Sequence, residues 1–208
     1  MGNTRRQMLS SISLGGILSL SGCIDSLNLN SNRKDFNSEE QISVSISDIA
    51  PNPESRYNLQ FTVDIKKQTA DIDGPPVISV SVENIDGPKV ILMGTTRAVF
   101  GGETDTENNI ALLTRDEWNK NQMKNNQCWN LEKEIPRSGT QYETVLNDGE
   151  KSNIDLDVIG SSNMDGCIPL GKYRFETNYS VYLPDKSGNQ LVDEFTWGFI
   201  LETTMVDK

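Results

Sequence analysis

The 208-residue chain sets 19 basic against 30 acidic residues, a formal charge of −11, and contains no histidine. Hydrophobic residues at 35% and charged residues at 24% describe a chain that folds around one ordinary core, not a disordered segment or a multi-span membrane protein. The acidity excludes nucleic acid, because phosphate contacts need clustered Lys and Arg, and the missing histidine excludes Ser-His-Asp and Cys-His catalysis and His-ligated zinc.

In chain order, the first feature is Thr4-Arg5-Arg6-Gln7-Met8-Leu9, followed by a weakly apolar run from Ile12 to Leu20. Arg5 and Arg6 ahead of a short apolar run are the arrangement read by twin-arginine export machinery. The run is shorter than the ~20 apolar residues a spanning helix needs. Leu20-Ser21-Gly22-Cys23 resembles the lipobox of lipoproteins, in which small residues admit a peptidase and the cysteine takes the lipid. A plain secretory signal with an incidental Cys23 is the alternative. Residues 1–22 are therefore expected to be a signal peptide, whose loss would remove Arg5 and Arg6. The polar, repetitive residues 23–40 are expected to be a lipidated tether with a reach of roughly 20 Å by random-coil scaling.

These first thirty residues resemble the twin-arginine lipoproteins of haloarchaea, with their arginine pair, Ser/Gly-rich apolar stretch and Gly-Cys-Ile/Leu junction. The resemblance implies a lipid-anchored protein on the extracytoplasmic face of the cell membrane. It implies no activity. The acidic, Asp- and Asn-rich composition is compatible with a salt-loving host.

From residue 41 onward apolar residues recur at every second position, the period of a half-buried strand. Ile42, Val44 and Ile46 form the first such run, Leu59, Phe61, Val63 and Ile65 the second, and Ile78, Val80 and Val82 the third. Asn and Pro at 51–53, Asp73-Gly74-Pro75-Pro76 and Asp86-Gly87-Pro88 punctuate them as turns. A fourth strand is expected over Val90–Phe100. Later, Ile154, Leu156 and Val158 alternate with Asp155 and Asp157, which places both carboxylates on a solvated face. Tyr173, Phe175, Thr177, Tyr179, Val181 and Leu183 line one face of a long strand. Across the turn Pro184–Asn189, Phe195, Trp197, Phe199 and Leu201 line one face of its partner. The expected fold over 41–208 is all-β, an immunoglobulin-like antiparallel sandwich.

Residues 101–127 are polar and read as an insertion between strands. Within them Thr114-Arg115-Asp116-Glu117 has the capping-box form, so a short helix is expected from about Arg115 to Lys124, docked through Trp118 and Met123. Trp118 is the aromatic expected at the surface, whereas Trp197 and Phe199 are expected in the core. Cys128 and Cys167 remain once Cys23 is assigned to lipid. Two cysteines in an exported domain are more often bonded than free, and closing that loop would contribute about 4 kcal/mol on the chain-entropy model. Trp129 beside Cys128 resembles aromatic packing against a sandwich disulfide. Asn178-Tyr179-Ser180 fits the N-glycosylation pattern, with Asn178 outward if Tyr179 points in.

Asp71-Ile72-Asp73 and Asp155-Leu156-Asp157 could each bridge a hard cation, but neither is a full calcium loop. No metal site, cofactor or catalytic residue is assigned. The expected function is that of a membrane-tethered, non-catalytic module binding a protein or surface polymer. The alternatives are a small-molecule or ion-binding lipoprotein, a carboxylate-based hydrolase, and a protease inhibitor acting through 101–127.

Overall fold

The computed structural model describes residues 40–53, 57–94, 103–105, 109–118, 123–125, 129–133, 142–162 and 167–207, within the compact unit Asp35–Lys208. Arg5, Arg6, the Leu20-Ser21-Gly22-Cys23 motif, the tether and Cys128 lie outside them. Twelve strands are described: β1 (Glu40–Ile49), β2 (Leu59–Lys67), β3 (Val77–Asn84), β4 (Val90–Gly94), β5 (Glu103–Thr104), β6 (Ile110–Leu113), β7 (Met123–Asn125), β8 (Asn130–Leu131), β9 (Tyr142–Leu146), β10 (Lys151–Gly160), β11 (Gly171–Asp185) and β12 (Gly188–Asp207).

The strands form two sheets. The first runs β1-β12-β11-β4-β9, and the second runs β2-β3-β10-β6-β5 with β7 and β8 attached. Every pairing along these two paths is antiparallel. Taken in chain order, β2, β3, β4, β6, β10, β11 and β12 occupy the places of strands A to G in a constant-type immunoglobulin sandwich, with A-B-E-D in one sheet and C-F-G in the other. Five strands lie outside that plan: β5, β7 and β8 add to the second sheet, and two extend the first. β9 pairs with the outer edge of β4, and β1 lies antiparallel on β12.

Alternation explains the inner faces. Ile78, Val80 and Val82 of β3 stand opposite Leu156, Ile154 and Ser152 of β10 and opposite Ile65, Val63 and Phe61 of β2, and pairs directly opposite share a face. From the other sheet, Tyr173, Phe175, Tyr179, Trp197, Phe199 and Leu201 are buried as their spacing predicts. The sheets meet through aromatic contacts. Phe61 stacks on Trp197 with ring centres 4.7 Å apart and lies 5.3 Å from Tyr179; within the first sheet Phe175 stacks on Phe199, directly opposite it. This cluster fills the place that a B–F disulfide and a strand-C tryptophan take in antibody domains; neither β3, β11 nor β4 carries those residues.

One flank is closed by backbone. The Val44 amide donates to the Gln68 carbonyl and the Ala70 amide to that of Ile42, each at 2.9 Å, so the segment after β2 covers the outer edge of β1. At the other end the β11–β12 hairpin turns through Lys186-Ser187. The Asp185 carboxylate accepts from the Lys186 amide and the Ser187 hydroxyl.

The helix expected over Arg115–Lys124 is absent where described: residues 115–117 form a turn and Met123–Asn125 is a strand. The capping box forms by half. The Glu117 carboxylate accepts from the Thr114 amide at 2.7 Å, but the buried Thr114 hydroxyl has no hydrogen-bond partner among the described residues and the Glu117 amide donates to the Thr114 carbonyl instead. The same polar stretch also supplies β6, whose four residues are all buried.

Candidate functional site: a carboxylate clasp on the second sheet

β10 pairs with β3 on one side and β6 on the other, and its outward row is Asn153, Asp155, Asp157 and Ile159. Asp155 is exposed, as alternation requires, but Asp157 is only 3% exposed. The Arg115–Trp118 segment covers it. Arg115 Nη2 donates to Asp157 Oδ1 at 2.8 Å, and Trp118 Nε1 donates to Oδ2 at 2.9 Å, so each carboxylate oxygen holds one donor. The Arg115 guanidinium also lies 4.7 Å from the centre of the Trp118 ring, a cation–π contact.

Trp118 is 4% exposed and meets fully buried Trp129 edge to face at 5.8 Å. The two indoles cap a second apolar layer on the outer face of this sheet, because Ala111 and Leu113 of β6 stand opposite Ile159 and Asp157 and are themselves buried. Trp129 adopts a left-handed backbone, φ 51°, uncommon for a bulky residue. Bonds at both ends of the residue hold it there. Its carbonyl accepts from the Gly160 amide and its indole donates to the Asp71 carbonyl at 2.9 Å. A methyl group on Gly160 would collide with the Asn130 side-chain amide, so only glycine admits this close approach.

Asp71 extends the clasp to the turn before β3. Its Oδ1 accepts from Lys67 Nζ at 2.7 Å and from the amides of Asp73 and Gly74. Lys67 also donates to the Gly74 carbonyl. The Lys67 hydrogen bond, followed by the two amides, holds the Asp71 carboxyl below its ordinary range. Asp157 moves the other way: burial outweighs Arg115, Trp118 and Lys67, and raises its pKa. The difference is solvation, since Asp71 is largely wet and Asp157 is not.

No family model, curated protein or solved structure matches the chain. Its site residues therefore rest on their own geometry. In each Asp-x-Asp pair one carboxylate is already committed, Asp71 to Lys67 and two amides, Asp157 to Arg115 and Trp118. The clasp ties Arg115–Trp118, Trp129 and the Asp71–Gly74 turn to the sheet; its carboxylates work as fasteners.

Several sequence expectations are placed here. Trp118, expected at the surface, is buried because it packs on the outer layer of a sheet that is covered on both sides. Asp157, expected on a solvated face, lies beneath it. Cys167 is disulfide-bonded, and its expected partner Cys128 lies outside the described residues. Trp129 packs on the outer layer against Trp118, not between the sheets. Asn178 is exposed while Tyr179 is 1% exposed, and the Asn178 Oδ1 accepts from the Thr196 hydroxyl at 2.6 Å. Sequence reasoning missed Arg115 and Lys67. The available signal was an isolated tryptophan three residues after an arginine within an otherwise polar stretch.

Proposed function

We propose that the chain is an exported lipoprotein, tethered by lipid on Cys23 to the extracytoplasmic face of a membrane, whose β-sandwich is a non-catalytic binding module. The observation that carries this reading is the spacing of Arg5-Arg6 and Leu20-Ser21-Gly22-Cys23 around a short apolar run, a pairing that chance rarely produces. A polar tether between Cys23 and β1 fits a globule held clear of the lipid surface. Lipidation with two chains gives stable anchoring. A Cys128–Cys167 bond suits an oxidising exterior. The lack of any histidine supports binding over hydrolysis, as does the commitment of Asp71 and Asp157 to structural partners.

Replacement of both Arg5 and Arg6 by Lys tests the export route. The full-length precursor should then accumulate in the cytosol, with the membrane fraction losing the protein at least tenfold. Undiminished membrane recovery of a processed Arg5→Lys/Arg6→Lys chain would contradict twin-arginine export.

A further inference from the structure

The outer face of the first sheet is divided. Near the chain's carboxyl end it is polar and internally compensated, with Lys172 near Glu202, Arg174 paired with Glu176, and Asn178 bonded to Thr196. Toward the β11–β12 hairpin the register lines up an apolar row across four strands: Leu191 opposite Tyr182, Tyr182 opposite Ile91, and Ile91 opposite Val145. Leu191 is 46% and Val145 38% exposed, Tyr182 is partly buried, and Ile91, at 5% exposed, forms the floor of the row. Four strands span about 14 Å at the usual spacing. The row is contiguous by register, unlike apolar residues scattered singly over a surface.

The adjacent row carries Glu194, Ser180, Met93 and Glu143 in the same strand order. Glu194 and Glu143 stand at its two ends. Among the described residues neither has an ion-pair partner, although Glu194 accepts from the Ser180 hydroxyl. An apolar stripe edged by two carboxylates that have no ion-pair partner among the described residues, on a chain of formal charge −11, repels a second copy and an anionic membrane alike. It complements a cationic segment with an apolar centre.

Resting on the binding-module reading, we propose that the Leu191–Tyr182–Ile91–Val145 row is the docking surface, and that its occupant is a segment of another protein with apolar side chains flanked by Lys or Arg. The apolar centre supplies contact area, while the flanking bases meet Glu194 and Glu143 and fix the register.

The test uses the full-length chain and a defined probe, a 15-residue peptide alternating Lys and Leu, with a Glu-Leu analogue and phosphatidylglycerol vesicles as comparisons. The Lys-Leu peptide should bind and should slow amide exchange in β4, β9 and the Gln190–Glu194 part of β12. The Glu-Leu peptide and the vesicles should bind at least tenfold more weakly. Val145→Lys with Leu191→Lys should weaken peptide binding at least tenfold. Glu194→Gln, which leaves the apolar row intact, should weaken it about threefold. Ile72→Lys, at a residue 76% exposed elsewhere, should leave it unchanged. Equal weakening by Ile72→Lys, preferential binding of vesicles, or self-association abolished by Leu191→Lys would each overturn the proposal. Native partners crosslinked to other faces would also overturn it while leaving the binding-module reading standing; a native membrane that yields no crosslinked partner at all would remove that reading as well.

Discussion

Asp157 concentrates the energetics of the domain in one carboxylate. A buried ionised group beneath an indole is costly unless its oxygens are satisfied, and here Arg115 and Trp118 satisfy both. Burial nevertheless prevails, and the folded-state pKa lies above the ordinary carboxylate value. A raised pKa means that the folded state takes up the proton more readily than the unfolded chain. The resulting stabilisation is present below the unfolded value of 3.8 and is lost as pH rises through the folded value. Asp157→Asn keeps an acceptor for Trp118 and frees the half-exposed Arg115 to water. Denaturant unfolding across pH 3–7 should show this variant losing less stability with rising pH than the parent, close to it at pH 3 and more stable than it near pH 7. Asp157→Leu, which strands the indole N–H, should cost about 1–3 kcal/mol throughout. A parent slope retained in Asp157→Asn would assign that slope to another group.

Among the elements, the β11–β12 pair was the most legible, because two long runs of alternating apolar residues flank a turn of hairpin composition. That pair has its own steric demand. Gly198 faces Glu176 across the ladder, and a methyl group there would run into the Phe175 carbonyl. Gly198→Ala should therefore destabilise by about 2–3 kcal/mol, in the range of overpacking, read as a lower denaturation midpoint at unchanged m-value. β6 was illegible for a physical reason. Ile110-Ala111-Leu112-Leu113 is buried on both faces, so it shows no alternation and passes for part of a polar insertion. β9 was overlooked because its alternation covers only Tyr142, Thr144 and Leu146. The helix reading failed because the Thr114–Glu117 box describes a local turn equally well, and what followed was decided by distant contacts of Trp118 with Asp157 and Trp129. Local periodicity assigns a face to each residue of a strand; it cannot show that the outer face will be covered by a segment some forty positions away.

At the scale of the whole molecule, composition and strand period sufficed for an all-β sandwich, and the pairing order A-B-E-D with C-F-G follows from the topology alone. The centre of that sandwich is aromatic, with Phe61 bridging to Tyr179, Phe195 and Trp197 of the other sheet. The clasp was not legible in the sequence, since it draws on Lys67, Asp71, Arg115, Trp118, Trp129 and Asp157, which only the fold assembles; the readings at Arg5-Arg6 and Leu20–Cys23 lie outside the described residues. Attachment to a membrane is the claim on which the functional reading depends, and intact mass spectrometry of the protein purified from native membranes tests it most directly. Expected is a mature chain whose first residue is Cys23, carrying the added mass of its lipid on that sulfur. A chain recovered from the soluble fraction with residues 1–22 still attached and an unmodified Cys23 thiol would contradict it.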